Sequence, residues 1–181
     1  MKPYLIGIGG RSCSGKTTLV RELSKTYDFL SISQDKFFKR PENADHWEDP
    51  DCLRNDMLFK ALLKLKNGEP AHIPSHSHTE IFDELVYPKK YIIVEGYLLF
   101  ENEKLVNLFD KKVWIHVSDV DILYRRLKRD GSLKYIDKIM DPVIFQSRIY
   151  EWDQIRNSDF MICSDQSIDD MVDAFKQLVP L

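Results

Sequence analysis

The chain has 181 residues with 26 basic and 29 acidic side chains, a net charge of −3 at pH 7 with histidines neutral. A chain of this length fits one domain that buries about 70% of the surface its unfolded state exposes, so its core needs no disulfide or metal. Three scattered cysteines, Cys13, Cys52 and Cys163, exclude a disulfide framework or zinc knuckle and suit a reducing compartment, while the interspersed charges give no cationic footprint for nucleic acid.

In chain order, Tyr4 to Ile8 is a short apolar, partly β-branched run that predicts a first strand over residues 4–9. No charged n-region, apolar h-region or cleavage site precedes it, and no apolar run approaches the roughly 18 residues of a membrane span. A cytoplasmic protein with no membrane partner is therefore expected. Four of the seven glycines follow at once, Gly7, Gly9, Gly10 and Gly15, and residues 10–17 spell G-x-x-x-x-G-K-T. In such a loop backbone amides turn inward around phosphate oxygens, a lysine reaches the β and γ phosphates, and a threonine can hold magnesium. Gly10, Ser12, Cys13, Ser14, Gly15, Lys16, Thr17 and Thr18 are accordingly the expected triphosphate-binding residues. Leu19, Val20 and Leu23 mark one face of a helix opening at Gly15, so strand, loop and helix fall in the order the motif needs. Cys13 reads either as a thiol activated by the helix terminus and Lys16 or as a small residue filling a variable position.

Further strands are predicted over residues 29–33, 91–95, 112–117 and 160–163, with helical stripes between them. Leu58, Leu62 and Leu65 form one stripe; Val120, Leu123, Tyr124 and Leu127 a second; Ile168, Met171, Val172, Phe175, Leu178 and Val179 a third. All three are read as core. The alternation predicts a single α/β domain over residues 1–181 with a mostly parallel sheet. Residues 41–88 interrupt it: five of the eight prolines and four of the five histidines lie there. Prolines at that density break regular structure, and the stretch is read as an excursion over the sheet's carboxyl edge that carries substrate contacts.

Three polar features each follow an apolar strand: the glycine loop, Gln34-Asp35 and Glu95-Gly96. In an open parallel sheet those carboxyl ends line the ligand crevice. Phosphoryl transfer to a hydroxyl needs an anionic group that orients the nucleophile and accepts its proton, with cations to offset charge on the γ-phosphoryl. Asp35 is the candidate base, with a turn cap as its alternative role, and Glu95 the candidate holder of magnesium or water. Steps of 100° place Arg125 and Arg129 together opposite the second stripe, with Arg126 beside them, either as a solvated face or as a basic lid ending at Asp130-Gly131-Ser132. His72, His76 and His78 lack the spacing of a metal site and are read as contacts to a substrate's base ring. Trp47 could stack on that ring or anchor the excursion.

Together these segments resemble the uridine kinase and nicotinamide riboside kinase group of P-loop kinases, the phosphoribulokinase/uridine kinase family, across nearly the whole chain. Ser33-Gln34-Asp35-Lys36-Phe37-Phe38 is similar to the family segment whose aspartate is the general base toward a ribose 5′-hydroxyl. Val94-Glu95-Gly96-Tyr97-Leu98-Leu99-Phe100 is similar to its Walker B equivalent, and Arg125-Arg126-Leu127-Lys128-Arg129-Asp130 to the start of its lid, here about residues 125–145. The resemblance implies a three-layer P-loop NTPase sandwich with a five-stranded parallel sheet of order 2-3-1-4-5. It implies ATP or GTP as donor with Mg2+, and a small-molecule nucleoside as acceptor. It also implies catalytic roles for Asp35, Lys16 and Arg126, donor contacts from Arg125 and Arg129, a metal held by Thr17 and Glu95, and acceptor contacts from Asp35, Phe38, Trp47, Glu48, His76, His78, Arg126 and Tyr135. A homo-oligomer is compatible with it.

The Asp49-Pro50-Asp51 segment, Ile73-Pro74 and the lid arginines look uridine kinase-like, which puts uridine or cytidine first. Phe37-Phe38-Lys39, Trp47-Glu48 and Tyr135-Ile136-Asp137 look closer to nicotinamide riboside kinases. Glu48 stands where the usual residue is aspartate, and Pro74 to Thr79 is shorter than the usual uracil-reading segment, so the base pocket is altered. From other classes come a slow P-loop switch, which lacks an Asn-Lys-x-Asp segment, and a non-catalytic nucleotide-binding module.

Overall fold

Successive residues of the first strand, β1 (Tyr4–Gly9), point to opposite faces, and the core divides along that alternation. In the computed structural model, which describes residues 2–39, 49–76, 81–130 and 140–179, Leu5 joins one apolar cluster while Ile6 and Ile8 join another. The same division runs through β5 (Tyr91–Gly96), with Ile92 and Val94 on the first side and Ile93 on the second, and through β6 (Lys111–His116), with Trp114 opposed to Val113 and Ile115. Strands buried on both faces are what helices packed on both sides of a parallel sheet produce.

The sheet is completed by β2 (Leu30–Ser33) and β7 (Phe160–Cys163), and its spatial order is β2-β5-β1-β6-β7, all parallel. Strands β3 (Ala71–His76) and β4 (Ile81–Val86) form a separate antiparallel hairpin. In full chain numbering the order therefore differs from the expected one, and counting only the five sheet strands it reads 2-3-1-4-5. Helix α1 (Lys16–Leu23) and the C-terminal helix, α6 (Ile168–Leu178), supply Leu19, Leu23, Met171 and Phe175 to one side. Helix α2 (Asn55–Lys66) supplies Leu58, Leu62 and Leu65 to the other. The first and third predicted stripes are thus core. Two of the four early glycines serve packing as well: a Cβ on Gly7 or Gly9 would meet the Phe100 ring at 2.7 or 2.6 Å.

Three elements differ from the sequence reading. In α4 (Asp119–Asp130), Val120 and Tyr124 are 77% and 64% exposed, so only half of the second stripe faces the core; Leu123 and Leu127 pack partly around Ile122, which is fully buried and outside the stripe. The excursion is more regular than its prolines suggest, because α2 and the hairpin lie within it. Pro74 sits inside β3, opposite Asp83; a two-stranded sheet consists only of edges, where a missing N–H is tolerated. Finally, α5 (Ser147–Arg156), entered through a wide π turn over Met140–Gln146, has inverted polarity. Ser147, Glu151 and Gln154 are buried while Ile149 and Trp152 are exposed. Gln154 is satisfied there: its Oε1 accepts from the Phe100 amide at 3.1 Å and its Nε2 donates to the Tyr97 carbonyl at 3.1 Å. A short helix, α3 (Glu103–Val106), precedes β6. Among the described residues no helix is long and apolar enough to cross a membrane.

Candidate functional site

The strand register brings the three polar features to one line at the carboxyl edge. Ser33 pairs with Glu95 across β2 and β5, and Gly9 pairs with Gly96 across β1 and β5. From there β1 runs into the phosphate loop, where Cys13 (φ 61°) and Gly15 (φ 97°) take the left-handed conformation. Such reversals aim successive amides into one anion-binding hollow, and helix α1 begins at its rim. Lys16 is buried and folds back over the loop, its Nζ donating to the carbonyls of Gly10 and Arg11 at 2.7 and 2.9 Å.

The Thr17 hydroxyl meets Glu95 Oε2 at 3.2 Å, and Glu95 is only 6% exposed. A hydroxyl and a buried carboxylate give two hard oxygen ligands. That set fits Mg2+, which binds few protein groups and leaves its other positions to phosphate oxygens and water. Asp35 lies just past the Ser33–Glu95 pair, in a 3-10 turn over Gln34–Phe37, and is exposed. The cap of that turn is Ser33, whose Oγ accepts from the Asp35 amide at 3.3 Å, so the capping role open to Asp35 from sequence is filled by its neighbour. The intervening Gln34 is fully buried, its Oε1 accepting from the Leu98 amide at 3.1 Å, and it lies against Gly96 so closely that a Cβ there would come within 2.2 Å.

Helix α4 lays its arginines against the loop. Arg125 donates to the Cys13 carbonyl and to Ser164 Oγ, each at 3.1 Å, and to the Ser164 carbonyl at 2.5 Å. Arg126 reaches Ser12 Oγ at 3.2 Å. A cleft of about 610 Å³ opens here, lined by loop and helix residues including Lys16, Thr17, Arg125 and Arg129 and by Ser164, Gln166, Ile168 and Met171. Ser164 and Gln166 were missed in the sequence, although they follow β7 directly and the rule that picked out Asp35 and Glu95 applies to them equally.

On the other side of Asp35, Phe38 is half-buried and bridges to Leu53. His72 is exposed and His76 ends β3. Trp47, Glu48, His78 and Tyr135, and with them part of the expected lid, lie outside the described residues. Among the described residues no group of three or more histidines, cysteines and carboxylates is gathered to hold a metal ion. A second cleft, about 690 Å³, lies beside the start of α2, lined by Lys39, Arg54, Asn55 and Glu101 among others. Burial, and then the neighbouring Asp153 carboxylate, push the Glu101 carboxyl above its usual range.

Comparison with known proteins agrees with this geometry. The model of the phosphoribulokinase/uridine kinase family matches residues 31–151. A uridine kinase from Chlamydia pneumoniae is 36% identical over 146 residues, which are 72% of this chain and 65% of that protein. One from Borrelia hermsii is 34% identical over 154 residues, 78% of this chain and 73% of the relative. Among solved structures, a possible uridine kinase from Bacillus stearothermophilus superposes with a TM-score of 0.70 at 19% identity, over 90% of this chain and 89% of that one. A putative fructose transport system kinase from Silicibacter sp. TM1040 gives 0.75 at 18% identity, over 89% and 90%. At those identities the likeness is one of fold.

Proposed function

The chain belongs to the phosphoribulokinase/uridine kinase family, and on that premise we propose that it is a nucleoside kinase moving the γ-phosphoryl group of ATP or GTP to the 5′-hydroxyl of a ribonucleoside, with uridine or cytidine as acceptor. The observation that carries the reading is the Thr17–Glu95 contact at 3.2 Å, beside the exposed Asp35. It joins the donor loop to the end of β5, and Asp35 follows the end of β2 that pairs with it.

In this mechanism the loop amides hold the triphosphate, and Lys16 exchanges the Gly10 and Arg11 carbonyls for β and γ phosphate oxygens. The acceptor's 5′-oxygen bonds to the γ-phosphorus while its proton passes to an Asp35 carboxylate oxygen. The bond from the γ-phosphorus to the β–γ bridging oxygen breaks, and the nucleoside diphosphate leaves with that electron pair. Arg125 and Arg126, bonded to Cys13 and Ser12 of the loop, are assigned to offset charge on the transferring group, with Arg129 lining the donor cleft. A magnesium ion held by Thr17 and Glu95 would supply further charge neutralisation. Phe38, Trp47, Glu48, His76, His78 and Tyr135 are assigned to the acceptor.

The test is release of diphosphate from magnesium ATP at initial rate, against uridine, cytidine, nicotinamide riboside and other nucleosides. Stimulation by uridine or cytidine is the expected result, and preference for nicotinamide riboside would move the acceptor assignment. No stimulation by any nucleoside would replace the kinase with a nucleotide-binding module or slow hydrolase.

A further inference from the structure

One residue of the phosphate loop makes its side-chain bonds away from the nucleotide. Arg11 occupies the first variable position of the motif, yet its side chain is 3% exposed and points into the body of the protein. Its Nη1 meets Asp119 Oδ1 at 2.6 Å, at the start of α4, and lies 3.6 Å from Glu151 Oε2 on α5. Its Nε donates to Ser147 Oγ at 2.8 Å and its Nη2 to the Ile144 carbonyl at 2.9 Å. The Ser147 hydroxyl spends its own proton on the Val143 carbonyl at 2.6 Å, so it is oriented to accept. The guanidinium thus ties together the chain segments on both sides of residues 131–139.

The main chain of Arg11 is engaged separately. Its carbonyl accepts from Lys16 Nζ at 2.9 Å and from the Ser14 amide at 3.2 Å. Helix α4 is therefore attached to the loop twice, through Asp119 on the Arg11 side chain and through Arg125 and Arg126 on Cys13 and Ser12. Those attachments are six and seven residues apart, about 10 Å along a helix. A planar guanidinium with five donors suits this three-way junction; an ammonium, with three donors around one atom, could not span it.

We infer that Arg11 is a positioning residue, coupling occupancy of the phosphate loop to the placement of α4 and of residues 140–156. When Lys16 turns to a phosphate, the Arg11 carbonyl gives up one partner, and the guanidinium keeps that part of the loop registered against both segments. The donor-facing arginines of α4 are then held in place relative to the transferring group. The inference rests on the nucleotide-binding part of the function proposed above and is independent of which acceptor is used.

Amide hydrogen exchange on the whole chain, with and without a non-hydrolysable magnesium–ATP analogue, reads this coupling directly. In the wild type, analogue binding should slow exchange in residues 140–151. In Arg11→Met and Arg11→Lys the analogue should still bind, with Kd changed by less than about threefold, because the loop amides are intact. The slowing at 140–151 should then fall by at least about half, and kcat by about ten- to a hundredfold at nearly constant donor KM, as for misplaced catalytic groups. Should Arg11→Met fail to fold by circular dichroism, Ser147→Ala removes the Nε acceptor, together with the hydroxyl's own bond to the Val143 carbonyl, and should shift both readouts the same way by less. Unchanged exchange at 140–151 in the analogue-bound wild type, or full slowing in folded Arg11 variants, would overturn the inference. A wild type that shows the slowing but responds to no nucleoside would sink the acceptor assignment and support the coupling.

Discussion

The phosphate loop and the turn at Asp35 follow strands at the same edge of one sheet, yet the loop and the described residues from Asp35 to β3 hold their polar side chains in opposite ways. In the loop, Arg11, Ser14 and Lys16 are buried and bonded, and α4 and the start of α6 close around them. Along the other segment Asp35, Lys39 and His72 are exposed, and the hairpin is anchored mainly by Ala71 and Ile73 against the α2 side of the core. A triphosphate is the same ligand in every P-loop protein, and backbone amides on a rigid frame suffice to hold it. An acceptor is read by side chains projecting from an excursion, where sequence can change without disturbing the sheet. Donor binding and acceptor chemistry should accordingly separate on mutation.

The sharpest separation is expected from Asp35→Asn. It should lower kcat by about 10²- to 10⁴-fold, some 3 to 5.5 kcal/mol, with donor affinity nearly unchanged by calorimetry; turnover near the wild-type rate would remove Asp35 as the base. Lys16→Ala should instead damage both, with kcat/KM down by about 10²- to 10³-fold and weaker donor binding. An intact donor Kd in that variant would contradict the phosphate-loop reading.

Gly96→Ala probes the seam between the halves. The new Cβ would press on Gln34, 2.2 Å away, and should cost about 1 to 3 kcal/mol in a denaturant titration. Wild-type stability would mean that Gln34 moves aside freely. Smaller still is Ser164→Ala, which leaves Arg125 the Ser164 carbonyl but not the hydroxyl. Donor Kd should rise by about two- to fivefold, and an unaltered Kd would show that Arg125 needs only the carbonyl.

The smallest effect concerns Glu101, beside the second cleft. Its folded-state pKa is raised by burial and by Asp153. The folded protein therefore binds the proton more tightly, and stability falls as pH rises from the unfolded carboxyl value through the raised one. Glu101→Gln removes that loss, so its melting temperature should exceed wild type at neutral pH and converge with it in acid. A gain that persists unchanged at low pH would mean that packing, not ionisation, is responsible.

Legibility in the sequence followed the distance over which each feature is built. The loop, the five sheet strands and the stripes of α2 and α6 were readable because glycine spacing and apolar alternation act within a few neighbouring residues. In α4 the same reading was half right, since Leu123 and Leu127 pack around Ile122 while Val120 and Tyr124 keep helical spacing but stand outside that core. In α5 it had nothing to use, because the inward positions are Ser147, Glu151 and Gln154, and their burial makes sense only once their partners are known. Ser164 and Gln166 escaped for a milder reason: a serine and a glutamine after a strand look like any loop until Arg125 and the cleft are placed against them.

By itself the sequence determined that a phosphate-loop motif ends the first strand and that Asp35 and Glu95 fall at the ends of two further strands, because contiguous residues and strand ends encode both. Only the tertiary structure decided that Thr17 touches Glu95 across 78 positions, that Ser33 rather than Asp35 caps its turn, and that Arg11 reaches Ser147 across 136. Those contacts depend on how the parallel strands order and register, and on where α4 and α5 pack beside the loop. Periodicity along one segment has no access to either.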